Sequence, residues 1–164
     1  MKKGYTIISS GYNAVKNISQ GNFSLHETFL DGLMLVSPEV RKYARVADII
    51  SAQKTIVSEY KRSLKNFQAP GLMNAGELDY ISRIYSGLFA QSLDNLDELT
   101  LILTAGSLRM SDEERLSSID RIFQETSDKL IFLRSFNQQA GTLLLQRKAA
   151  LADMDGTKAL FKIN

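Results

Sequence analysis

The chain has no cysteine, no tryptophan, one histidine and two prolines among its 164 residues. Without cysteine there can be no disulfide, no thiolate nucleophile and no cysteine zinc site. That absence is neutral on compartment, because disulfide-free proteins occur in both cytosol and bacterial periplasm. With a single imidazole, any Ser-His-Asp arrangement would have to pass through His26, and no nucleophile-elbow pattern accompanies it. No glycine-rich phosphate loop is present. No apolar run approaches the ~18 residues of a transmembrane helix. The formal net charge of +2 is too small to imply nucleic-acid binding by itself. Enzymatic and nucleic-acid classes are left without a motif.

What is present is helical periodicity. Hydrophobic residues at 44% and charged residues at 23% are enough for a folded domain, and the length fits a single one. From Leu116 the apolar seam runs Leu116, Ile119, Phe123, Thr126, Leu130, Leu133, Asn137, Ala140 and Leu144, spaced alternately three and four apart. A repeat averaging 3.5 residues is the seam of a helix packed lengthwise on other helices. Upstream, Tyr43, Val46, Ile50, Gln53, Val57, Tyr60, Leu64 and Phe67 form a second seam. Leu78, Ile81, Tyr85, Leu88, Ser92, Asn95, Leu99 and Ile102 form a third.

Breakers divide these seams into elements. Ser37-Pro38-Glu39 restarts the chain with an N-cap serine, a proline at the first helical position and an acid in the first turn, predicting a helix over 38–68. Pro70 and Gly71 mark the clearest loop, 69–76, and a helix over 75–104 follows. Gly106 suits a C-cap. Ser111-Asp112-Glu113-Glu114 is a capping box, and it opens a last helix expected to reach about Asp153. Gly141 lies within that helix, and the sequence leaves open whether it bends there or makes a close contact. Asp155-Gly156 is expected to release a frayed tail. Upstream, 4–20 reads as one helix, and Ser24 with Glu27 caps a short second one. The expectation is an all-α, elongated up-down-up three-helix bundle over 38–154. A helical appendage over 1–37 packs on one end or flank, and 155–164 trails as a tail.

Several side chains could carry chemistry. His26 could be a base or a metal ligand, but a lone imidazole after a capping serine is ordinarily an exposed first-turn residue. Asp94, Asp97 and Glu98 share one helix face and are the best available set for a hard divalent cation, against the simpler reading of a salt-bridged stripe. No cofactor is expected. The basic set Arg41, Lys42, Arg45, Lys61, Arg62 and Lys65 is interrupted by Glu39, Asp48 and Glu59, as on a solvated face. Leu72 and Met73 in the 69–76 loop, and Leu108, Arg109 and Met110 after Gly106, are candidate partner contacts, because large apolar residues on loops can form interaction points. The competing reading folds them back onto the bundle ends.

Two stretches carry a resemblance. One is Gly11-Tyr12-Asn13-Ala14-Val15-Lys16-Asn17-Ile18-Ser19-Gln20-Gly21-Asn22-Phe23, leading through Leu25-His26 into Phe29-Leu30-Asp31-Gly32-Leu33. The other runs from Leu103-Thr104-Ala105-Gly106-Ser107-Leu108-Arg109-Met110 through Ser111-Asp112-Glu113-Glu114-Arg115-Leu116 to Ile119-Asp120-Arg121-Ile122. Together they resemble a family of small helical proteins from conjugative transposons and plasmids of Bacteroidetes, some labelled tellurite-resistance B-like. The resemblance implies a non-enzymatic accessory of conjugative DNA transfer, of the type IV secretion kind, with other apparatus proteins as partners and no direct nucleic-acid contact. It implies export to the periplasm or envelope without spanning the membrane. The chain lacks the family's export signal, as a trimmed mature form would, and a cytoplasmic location stays open. A metal-binding stress-response protein of the tellurite-resistance type is the alternative, with Asp94, Asp97 and Glu98 as ligands.

Overall fold

A computed structural model describes residues 43–103 and 109–161. Among them are three helices and no strand, so the described fold is all-α. Helix α1 is Ala44–Phe67, α2 is Ala75–Leu103 and α3 is Asp112–Phe161. At 1.5 Å per residue they are about 36, 43 and 75 Å long. The 1–37 appendage, the Ser37-Pro38 restart, His26, Arg41, Lys42, Gly106 and Leu108 lie outside the described residues.

The termini follow from local chemistry. The helix expected over 38–68 begins instead at Ala44, because Tyr43 is extended (φ −118°, ψ 106°) and acts as N-cap. Gln68 closes α1 with its N–H on the Leu64 carbonyl at 3.0 Å. Gly71 then takes a left-handed φ of +79°, which a side chain would strain, and turns the chain back toward the bundle. A capping box not read from the sequence opens α2: Glu77 N–H donates to Asn74 Oδ1 at 2.9 Å, and Asn74 N–H to Glu77 Oε2 at 3.0 Å. The box expected at α3 is present. Glu114 N–H donates to Ser111 Oγ at 3.1 Å, and Ser111 N–H to Glu114 Oε2 at 2.7 Å.

Contacts fix how the helices lie. Arg45 meets Asp120 at 3.4 Å and Arg134 meets Glu59 at 2.7 Å, the same offset at both ends, so α1 and α3 run in one direction. Asn95 meets Glu125 while Glu77 meets Arg147, so α2 runs against α3. The apolar core falls into two clusters. One gathers Val46, Ile49, Ile50, Leu96, Leu99, Ile102, Ile119 and Ile122. The other gathers Ile56, Phe67, Leu72, Ile81, Tyr85, Leu88, Leu133 and Leu144. Between them in sequence, one buried polar side chain comes from each helix: Gln53, Ser92 and Thr126. Their polar atoms make no hydrogen bond to the protein. Tyr85 is better provided for, donating its hydroxyl to Asn137 Oδ1 and meeting the Tyr60 ring edge-on at 4.5 Å. Burial raises the Tyr85 phenol above its ordinary pKa.

One expectation for the last helix needs correction, and one open question is answered. The helix continues through Asp155-Gly156 to Phe161, so 155–161 is helix and not a frayed tail. It also passes unbroken through Gly141, where an added Cβ would meet nothing within 4 Å, so no close contact selects glycine there. Leu116, assigned to the seam, is exposed, and Ile119 with Ile122 fills the core instead.

Candidate docking site

The length mismatch between α3 and its neighbours creates the most distinctive surface. Leu144 is the last buried residue of α3. One turn on, Arg147 fastens α3 to the α1–α2 loop: it donates to the Leu72 carbonyl at 2.9 Å and to Glu77 Oε2 and Oε1 at 2.6 and 2.5 Å. The Arg147 guanidinium, then the Asn74 backbone N–H, hold the Glu77 carboxyl down at about 2 against an ordinary 4.5. Every residue from Lys148 to Phe161 is exposed. The helix therefore extends about 21 Å beyond its clamp with no other described element beside it. The extension is not polar throughout: Leu151, Met154, Leu160 and Phe161 are 45, 54, 71 and 78% exposed.

These residues were missed because Asp155-Gly156 reads as a turn. The signal that would have found them is the seam. Beyond Leu144 it continues as Arg147, Leu151, Met154, Lys158 and Phe161, spaced three, four, three, four and three. Leu151, Met154 and Phe161 thus fall on the side of α3 that packs into the core higher up.

Of the two readings of the loop residues, the structure places Leu72 with the one that folds it back onto the bundle. Leu72 is 9% exposed and belongs to the lower core, and Met73 is half-buried against the same cluster. The left-handed turn at Gly71 and the Arg147 bond to the Leu72 carbonyl place Leu72 inward. At the opposite end Met110 is half-buried against the upper core, whereas Arg109 is exposed. Leu108, the third member of that set, is outside the described residues.

A second concave feature is an open cleft of about 800 Å³ between α2 and α3, lined among others by Ile84, Gly87, Asn95, Lys129 and Phe132. A polar chain crosses it. Arg121 donates to Glu98 and, at 2.9 Å, to Glu125; Asn95 donates to Glu125 at 2.6 Å and accepts from Lys129. The Asn95 amide, aided by Arg121, lowers the Glu125 pKa. Burial pushes the Lys129 amine down, while Glu125, Asp94 and Asp128 pull it up. The Lys129 amine donates to Asn95 Oδ1 and has Glu125, Asp94 and Asp128 around it. The arrangement locks helix register. Along the lower edge Tyr80, Phe132 and Phe136 form an aromatic row, with ring centres 6.2 Å apart at each step.

The three acids proposed as cation ligands do not converge. Glu98 is engaged by Arg121, Asp94 lines the cleft near Lys129, and Asp97 is not among the cleft residues. Among the described residues no group of three metal-type side chains forms. Nor is any helix among them long and apolar enough to cross a membrane. Comparison of the chain with known protein families, curated proteins and solved structures found no match.

Proposed function

We propose that this protein is a non-enzymatic structural adaptor that works through protein–protein contacts, as a component of a conjugative DNA-transfer apparatus. The observation that carries the adaptor reading is the α3 extension. A helix ending of about two heptads with Leu151, Met154 and Phe161 in seam register is built to pack on another helix, and no described element packs there. The conjugation reading is supported by the resemblance of the 11–33 and 103–122 stretches to proteins of conjugative elements. In this reading the whole chain is an elongated up-down-up bundle with the N-terminal segment packed on one end or flank. It works in the periplasm or at the envelope, and the core reads as scaffold.

Crosslinking and capture of the tagged, full-length protein from cells carrying its mobile element, with fractionation, tests this. Recovery from the envelope fraction together with mating-pore subunits is the expected result. A cytosolic protein with no envelope partner would overturn the conjugation reading.

A further inference from the structure

We propose that the α3 extension is a homotypic contact, in which two copies of this chain pair antiparallel through residues 151–161. The inference rests on the reading of that extension as a contact element and names its partner. Three observations lead to it.

The first is continuity. The residues exposed beyond Arg147 repeat the three-and-four spacing that buries Leu133 and Leu144 higher on the same helix. The face is therefore the one that packs against helices, and what fits it is another helix of matching spacing. The extension itself has that spacing.

The second is self-complementarity, which a two-fold contact demands because one patch must serve both sides. In the antiparallel register centred on residue 156, Leu151 of one copy lies level with Phe161 of the other. Met154 lies level with Lys158, and the lysine falls between the levels of Asp153 and Asp155. Bulky apolar groups thus meet at both ends of the contact, and each seam lysine meets acids instead of another lysine.

The third is charge. Over 148–161 the ionisable residues are Lys148, Asp153, Asp155 and Lys158, which sum to zero. Two extensions can approach without net repulsion, whereas a face of one sign would require a partner of the other.

Sedimentation equilibrium of the purified full chain over a micromolar concentration series tests the pairing. Wild type is expected to approach twice its 18.3 kDa mass, and the combined variant Leu151→Glu, Met154→Glu, Phe161→Glu to stay monomeric. A wild type monomeric throughout, or a variant that still dimerises, would overturn the proposal.

Register is tested separately by oxidation, which is clean because the chain has no cysteine of its own. A Met154→Cys chain mixed with a Lys158→Cys chain should form a covalent dimer, with at least several-fold less in either alone. Covalent dimer from Met154→Cys alone, at the level of the mixture, would place Met154 against Met154, as in a parallel pair or one centred on residue 154, and would overturn the register proposed here. Envelope partners captured by a protein that is monomeric in sedimentation would sink the homotypic contact and leave the adaptor reading standing.

Discussion

At the scale of single residues, the clearest device is the Arg147–Glu77 clamp, because one carboxylate completes the α2 capping box and also holds α3 to the loop. Its pH dependence has a definite sign. A carboxyl whose pKa is lower in the folded state stabilises the fold above its unfolded pKa and loses that contribution as pH falls through the folded value. For Glu77 the window runs from 4.5 down to about 2. Thermal melts should show Glu77→Gln less stable than wild type near neutrality, with the gap closing across that window. A gap that stays constant down to pH 2 would mean the ion pair contributes nothing.

Glycine offers a second test at this scale. Gly87 and Gly141 lie inside helices with open space where a Cβ would go. Gly87→Ala and Gly141→Ala should each stabilise by roughly 1 kcal/mol, read from urea midpoints. A loss of stability at either position would reveal a backbone contact that the geometry does not show.

Between helices, the buried polar layer of Gln53, Ser92 and Thr126 separates two apolar clusters. A buried polar group without a partner costs about 1–3 kcal/mol, and an apolar replacement of similar shape removes that cost. Gln53→Leu and Thr126→Val should therefore raise the urea midpoint, Gln53→Leu the more because its amide has two unsatisfied atoms. A lowered midpoint would mean the layer is satisfied, for instance by bound water.

The same scale shows what the sequence made legible. The seams located all three described helices, because burial imposes the 3.5 period directly on residue order. The Ser111–Glu114 box was readable because it has the usual serine and glutamate three apart, whereas the Asn74–Glu77 box puts asparagine in the serine position and was passed over. The cleft network was not, since Glu98 with Arg121 and Asn95 with Glu125 meet only once α2 and α3 are in register. The sequence left Leu72 between a partner contact and a fold back onto the bundle, because its burial depends on the positive φ at Gly71. The end of α3 was missed because one glycine was given too much weight. A helical glycine costs about 1 kcal/mol, and Ala149, Ala150, Leu151, Ala152, Met154, Lys158, Ala159 and Leu160 around it are all good helix formers.

For the molecule as a whole, α3 is about twice the length of α1, and roughly half of the excess, residues 148–161, lies beyond the Arg147 clamp. The buried residues of α3 all lie between Ile119 and Leu144, whereas from Lys148 to Phe161 every residue is exposed. Glutamate at Leu151, Met154 and Phe161 should consequently leave the unfolding free energy of the bundle within about 0.5 kcal/mol of wild type when both are dilute enough to be monomeric, as substitutions on exposed surface generally do. The most direct test of the contact role is crosslinked capture from cells carrying the mobile element, comparing wild type with that triple variant. Partners held by wild type and lost by the folded variant are the expected result. Equal recovery of the same partners by both proteins would contradict the assignment of contact to the end of α3.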